Sequence, residues 1–188
     1  RQRQMCIRDR MHSVRALNEF DTFIRHDQAA SIVRKVCAFG EPMMSNMVSS
    51  RKPFGLPTVA RPQESGDILL RWQNGEGPYR RDEITVGREL IDKWKVITSY
   101  VGYDHAGNPG KDGKRRVFSK IDILPPGTIC TETYLVVGNF DTEQEAKKLV
   151  AYMKTLFFRF LVAQCMYSHH ITKEAHRLVP IQDFSLSW

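Results

Sequence analysis

Arginine and lysine side chains that stand in turns, beside aromatic residues or glycines, are the side chains of this sequence best suited to binding a ligand. They can neutralise phosphates, and the planar fork of an arginine can hold O6 and N7 of guanine in the major groove of DNA. A solvated surface charge is an equally good interpretation for any one of them, whereas the set favours a polyanionic partner. The candidates are Arg51, Lys52, Arg71, Arg80, Arg81, Lys114, Arg115 and Arg116.

No catalytic constellation accompanies these basic residues. The segment from Gly107 to Gly113 is rich in glycine but leads into a basic strand, so it predicts a surface turn instead of a phosphate-binding loop. The Glu-x-Lys of a nuclease metal site should lie on a strand, whereas Glu145 to Lys147 lies at the start of a predicted helix. Cys165 and His169 share a helical face, but no second ligand pair has the short spacing of a zinc site. We expect no catalytic, cofactor or metal residue in this chain.

The size and composition are those of an ordinary globular protein. Of the 188 residues, 41% are apolar and 26% are charged, which suffices for one domain with its own core. Its apolar runs are too short for a membrane helix and its four cysteines are widely spaced, so we expect a cytoplasmic location without a membrane partner. Three units of the net charge of +7 come from the first ten residues, which lack any pattern. Residues 1–12 are therefore interpreted as a non-native leader.

Apolar residues at helical spacing predict helices near both ends of the chain. Residues 13–40 are expected to form two short helices, or one that breaks near His26. A long helix is expected from Asp141, with Gln144 in a capping box and an apolar face that continues to Gln164. A last helical turn, from Thr172, is expected to end before Pro180.

Strand patterns occupy the region between these helices. Ile68 to Trp72 and Tyr79 to Val86 are expected to form a hairpin around a turn at Asn74 and Gly75. Three further strands are predicted over Lys93 to Tyr100, Val117 to Ile123 and Thr128 to Val137. The last of them has the apolar continuity of a strand covered on both faces. These elements predict an α+β fold, in which a mixed β-sheet with packed helices over residues 41–188 follows a helical connector over residues 13–40.

Five blocks of the sequence, taken in order, carry a family resemblance: Asn18 to Asp27, Val48 to Gly55, Thr131 to Gly138, Lys154 to Leu161 and Val179 to Phe184. Over nearly all of the chain after residue 13, the sequence resembles the C-terminal target-recognition region of adenine-specific (N6) DNA methyltransferases of type II restriction-modification systems. The resemblance implies a target-recognition domain that reads double-stranded DNA. It also implies a separate N-terminal domain that binds S-adenosylmethionine and holds a flipped adenine with an Asn- or Asp-Pro-Pro-aromatic motif. Pro125-Pro126 lacks that context, so no catalytic residue is carried over.

The sequence therefore predicts the DNA recognition module of a site-specific adenine methyltransferase, inactive by itself. Its expected partners are duplex DNA and the methyltransferase domain, which would cover apolar surface on the helices of residues 14–40. Two alternatives stay open: a part of a fused restriction endonuclease and methyltransferase, and a structural domain that docks a protein through residues 141–167. DNA binding must weaken steeply with salt, whereas apolar docking hardly responds to it.

Overall fold

The computed structural model describes residues 19–102, 113 and 116–186 of the chain. Its elements are α1 (Ala30–Ala38), β1 (Ile68–Trp72), β2 (Gly75–Tyr79), β3 (Trp94–Ser99), β4 (Ile121–Leu124), β5 (Thr128–Cys130), β6 (Tyr134–Phe140), α2 (Glu143–Lys154) and α3 (Leu156–Gln164). Short 3-10 helices lie at Asp27–Ala29, Met44–Asn46, Arg81–Glu83, Arg88–Leu90 and Lys173–His176. The predicted α+β class is confirmed. No helix in these described ranges is long and apolar enough to cross a membrane.

The described strands form two three-stranded sheets. In the first sheet, with the order β2-β1-β5, β1 pairs antiparallel with β2 and parallel with β5. The second sheet, with the order β4-β3-β6, is antiparallel throughout and has an irregularity in register between Val96 and Ile97. The mixed sheet that the sequence predicts is thus accompanied by an antiparallel one.

The second sheet is the middle layer of the fold. Val96 and Leu135 belong to a core shared with the helices, whereas Ile97 and Val136 belong to a core shared with the first sheet. Neighbouring residues of a strand face opposite sides, so β3 and β6 are buried on both faces. The side chains of β3 and β6 can therefore meet solvent mainly at the ends of these strands.

The segment predicted as one strand from Thr128 to Val137 is two strands that belong to different sheets. β5 pairs with β1 in the first sheet and β6 pairs with β3 in the second, and a turn closed by Tyr134 N to Thr131 O at 3.1 Å joins them. The single-strand prediction was wrong because burial in two sheets and burial in one sheet give the same apolar run. The crossover places Glu132 between the sheets.

The predicted β1–β2 hairpin forms, but its return strand is displaced. β2 spans Gly75–Tyr79, with Trp72 paired to Gly75, whereas the predicted Tyr79 to Val86 contains the 3-10 helix Arg81–Glu83. β2 contains Gly77 and Pro78, residue types that are rare inside strands. β2 is an edge strand, where a proline leaves no ladder hydrogen bond unmade.

The helices also differ from their predicted bounds. α2 is capped by Thr142, one residue after the predicted start, and Thr142 N donates to Glu145 Oε2 at 3.1 Å in a capping box. The long predicted helix is broken at Thr155 into α2 and α3. Of the two helices predicted for residues 13–40, α1 forms, whereas residues 19–26 are not helical although Ile24 is buried in the core.

Candidate nucleic-acid interface

A groove of about 710 Å³ opens at one end of the second sheet, where β3 ends and β6 begins. Its walls come from the turn after Arg51, the residues that follow β3, the segment before β4 and the crossover turn between β5 and β6. The charged side chains that line it are Arg51, Lys120 and Glu132, and the ring of Tyr100 forms part of its wall. A concavity of this size, with few charged groups converging on it, is typical of a binding site.

Arg51 is stacked on an aromatic column in this groove. Its Cζ atom lies 5.0 Å from the centroid of the Tyr100 ring, and Tyr100 stacks on His170 with 4.7 Å between centroids and 24° between planes. Burial lowers the pKa of the His170 imidazole, and the charges of His169 and Arg51 lower it further. The ring is therefore neutral at pH 7 and does not repel the guanidinium stacked above Tyr100.

Glu132 lies at the floor of the groove and is 9% exposed. Its Oε1 atom accepts a hydrogen bond from Thr58 N at 3.1 Å, while Oε2 lies 3.1 Å from Arg51 Nε and 3.8 Å from Lys52 Nζ. Burial works to raise the pKa of this carboxyl, but the Thr58 bonds and the charges of Arg51 and Lys52 hold it below the usual value. Glu132 is therefore ionised and orients both cations.

The turn that carries Arg51 and Lys52 is fixed to the scaffold. Ser49 N donates to Val136 O at 2.8 Å, and Val136 N donates back to Ser49 Oγ at 3.0 Å. Lys52 has a φ of 61°, in the left-handed region that few side chains adopt, and Gly55 N closes the turn on Lys52 O at 3.0 Å. Phe54 is 1% exposed, so it anchors the turn in the core and offers no face to a base.

Arg71 is connected to the groove-lining residue Lys120 by ion pairs with a shared carboxylate. It pairs with Glu76 across the hairpin, and its Nη1 atom lies 3.6 Å from Asp122 Oδ2. Lys120 Nζ lies 3.6 Å from the same oxygen. Arg71 therefore belongs to a charge network that continues into the groove wall, although its own side chain is only 20% exposed.

Arg80 and Arg81 lie at the opposite end of the hairpin from Arg71. They follow Tyr79, which pairs with Ile68, whereas Arg71 pairs with Glu76. Arg80 binds Asp82, and Arg81 binds Asp92 and Asp67. The structure does not bring these two arginines to the groove.

The residues on either side of the basic segment 103–115 lie at the groove. Gly102 lines the groove, and Ser119 Oγ donates to Val101 O at 2.8 Å, which holds the two ends of the loop together. Arg116 is exposed. The other predicted residues of this loop, Lys114 and Arg115, lie outside the described residues.

Glu132, Tyr100, Lys120 and His170 are groove residues that sequence reasoning missed. A signal for Glu132 exists, since an acidic residue inside an almost continuous apolar run needs a cationic partner if it is buried. Tyr100 and His170 are 70 positions apart in the chain, and no local pattern connects them.

Groups of metal ligands are absent from the described ranges: no three His, Cys, Asp or Glu side chains there are arranged to hold an ion. Burial raises the pKa of Cys165 to about 11, so this thiol is neutral at pH 7.

No model of a protein family matches this chain, and no curated protein and no solved structure matches it either.

Proposed function

We propose that this chain is the DNA recognition module of a site-specific adenine DNA methyltransferase, whose catalytic domain binds S-adenosylmethionine and is a separate part of the protein. The observation that carries the proposal is the groove, which is lined by Arg51 and Lys120 and has Lys52 beside it. Phosphate contacts would fix the position of the duplex, and a small number of base contacts would select the site.

The charges of the groove suit a polyanion. The side chain of Lys52 is 48% exposed, so its ion pair with Glu132 is partly hydrated. Pairs of this kind contribute about 0–1 kcal/mol, and exchanging a carboxylate for a phosphate costs little. The sequence of residues 103–116 adds four basic and two acidic side chains. The local excess of positive charge would attract and retain a duplex.

Salt dependence of binding tests the proposal. Binding of the full chain to a mixed-sequence duplex should weaken steeply between about 50 and about 200 mM salt, because each neutralised phosphate contributes about −0.9 to the slope of log K against log salt. The double variant Lys52→Ala/Lys120→Ala should flatten the slope by about two units, and Arg115→Ala/Arg116→Ala should flatten it similarly. Fluorescence anisotropy at five salt concentrations gives each slope.

The matched control is Lys147→Ala/Lys154→Ala, which removes the same charge from α2, a helix that contributes no residue to the groove. Its slope should equal that of the unmodified chain. The proposal fails if the chain does not bind duplex DNA, if binding is insensitive to salt, or if both lysine double variants change the slope equally.

A protein-docking function is the second candidate, and an apolar surface favours it. Phe39 and Leu156 are 77% and 79% exposed, and Ile32 and Phe157 lie half-exposed beside them on α1 and α3. This face would also suit packing against the catalytic domain of the parent protein. A partner bound here would dissociate on Phe39→Asp substitution, and its binding would be nearly indifferent to salt. The Phe39→Asp substitution would leave DNA binding by the groove unchanged.

A further inference from the structure

Resting on that proposed function, we propose that Arg51 reads a guanine base directly and that Glu132 and Tyr100 are its positioning residues. Lys52 and Lys120 then supply the phosphate contacts of the same groove. One base of the recognition site would then be a guanine that is contacted at its major-groove edge.

The geometry of Arg51 leaves its recognition fork unoccupied. Nε lies 3.1 Å from Glu132 Oε2 in an ion pair, and Cζ lies 5.0 Å from the centroid of the Tyr100 ring. Neither Nη1 nor Nη2 has a hydrogen-bond partner among the residues that the structure describes. These two nitrogens carry the parallel donors that match O6 and N7 of guanine.

The backbone beneath Arg51 is held as firmly as its side chain. Glu132 N donates to Leu56 O at 2.9 Å, and Thr58 N donates to Glu132 Oε1 at 3.1 Å, so the turn and the carboxylate are fixed to each other. The ion pair with Glu132 and the contact with the Tyr100 ring reduce the freedom that the Arg51 side chain loses when it binds. That preorganisation favours a bidentate contact of fixed geometry, such as a contact with a guanine base.

The other basic residues lack this arrangement. Lys52 and Lys120 are compact charges at 3.8 and 3.6 Å from their carboxylates, which suits phosphates that are bound without a fixed geometry. Both terminal nitrogens of Arg81 are already used by Asp92. Arg61 is also stacked on an aromatic ring, that of Trp72, but its Nη1 donates to Thr58 O and Ala60 O.

Selection from a library of random duplexes tests the inference. The unmodified chain should enrich a sequence with at least one strongly preferred guanine, and Arg51→Lys should lose the preference at that position alone, since lysine keeps the charge but lacks the fork. Glu132→Gln, which retains an acceptor for Thr58, should weaken the preference at the same position. Arg61→Lys is the matched control and should select the unchanged sequence.

A modified base in the DNA tests the contact between Arg51 and guanine without altering the protein. Replacing the preferred guanine by 7-deazaguanine removes N7, and the unmodified chain should bind this duplex about tenfold more weakly. Arg51→Ala should bind both duplexes equally, and its salt slope should equal that of the unmodified chain because no phosphate contact is lost.

The outcomes separate the two proposals. If Arg51→Ala reduces the salt slope by about one unit and leaves the selected sequence unchanged, Arg51 is a phosphate contact and the inference is overturned while DNA binding stands. The inference is overturned in the same way if the chain binds duplexes without preference, or if Glu132→Gln and Arg61→Lys behave alike. If the chain binds no duplex at all, the proposed function and the inference are both overturned.

Discussion

Both terminal nitrogens of Arg81 donate to the carboxylate of Asp92, each at 2.7 Å. The hydrogen bond from Arg81 holds the pKa of Asp92 below its usual value, so the pair is fully ionised at neutral pH. It joins the end of the β1–β2 hairpin to the segment before β3, far along the hairpin from the groove. This arginine was predicted to bind DNA, yet its bidentate partner gives it a role within the protein.

Arg81→Ala should therefore leave DNA binding unchanged and should lower the free energy of unfolding by about 1 kcal/mol or less, as for other exposed ion pairs. Anisotropy measures the first effect and urea denaturation the second. Asp92→Ala is the companion variant and should have a similar effect on stability. A salt slope reduced by about one unit in Arg81→Ala would show that this side chain leaves Asp92 for a phosphate.

Thr155 separates α2 from α3 and caps the second of them. Its Oγ1 accepts from Phe158 N at 3.1 Å and donates to Tyr152 O at 2.8 Å, while its ψ of 153° takes the backbone out of the helix. Thr155→Ala should lower the free energy of unfolding by about 1 kcal/mol, because the amide of Phe158 loses its cap. Urea denaturation measures this loss.

The control for the cap is Thr155→Ser, which keeps the hydroxyl and should retain nearly all of the stability. An alanine variant as stable as the unmodified chain, with increased helical circular dichroism, would mean that α2 and α3 join into one helix and that the break depends little on Thr155.

The apolar pattern of the sequence predicts most of the buried residues. It predicts less well which helices or strands these residues pack against. Ala146, Leu149, Met153 and Leu161 of the predicted face are buried as expected, whereas Phe157 is 42% exposed. The break at Thr155 depends on a hydroxyl that bonds in both directions. The run from Thr128 to Val137 is buried, yet it crosses between sheets. Periodicity contains no information on such a crossover.

The same limit applies to the candidate site. Arg51 and Lys52 were predicted from their place before Phe54 and Gly55; the structure places Arg51 in the wall of the groove and Lys52 beside it, 3.8 Å from Glu132 Oε2. Their geometry is determined by Glu132, which becomes a neighbour only because the chain turns between β5 and β6. Arg80 has equally suitable sequence neighbours but lies away from the groove. The residue types around an arginine therefore could not distinguish an arginine of the groove from one that pairs within the protein.

Lys95 is a buried cation inside a cage of backbone carbonyls. It is fully inaccessible to solvent, and its Nζ atom donates to the carbonyls of Leu90, Ile91 and Lys93 at 2.9, 2.8 and 2.6 Å. Burial lowers the pKa of this ammonium to about 8, so it is still mostly protonated at pH 7. The contacts fix the segment between Leu90 and β3.

In Lys95→Met, the new side chain is similar in length but has no hydrogen-bond donor. The carbonyls of Leu90, Ile91 and Lys93 would therefore lose a charged partner. The free energy of unfolding should fall by about 2 kcal/mol in urea denaturation at pH 7. Lys93→Met, which removes an exposed partner of Asp141, should cost less than about 1 kcal/mol. A Lys95→Met protein at least as stable as the unmodified chain would show that the apolar gain exceeds the loss of the cage.

His176 is buried as a neutral imidazole. Its Nδ1 atom donates to Thr172 O at 2.9 Å, and the rings of Phe118 and Phe158 lie with their centroids 6.2 and 5.9 Å from its own. Burial lowers the pKa of His176 to about 4, against a smaller opposite effect of the Thr172 hydrogen bond. In the unfolded chain, the pKa of a histidine is about 6.5.

The stability contributed by this difference is present above about pH 6.5, because both states are then neutral at His176. As the pH falls from about 6.5 towards 4, the unfolded state binds a proton that the folded state does not, and the free energy of unfolding decreases by about 1.4 kcal/mol per pH unit. Between pH 7 and pH 5, the unmodified chain should thus lose about 2 kcal/mol more than His176→Gln. The exposed His169 gives the control, since His169→Gln should retain the full loss. Urea denaturation at the two pH values measures these losses, and equal losses in the unmodified chain and in His176→Gln would mean that His176 is protonated in the folded protein.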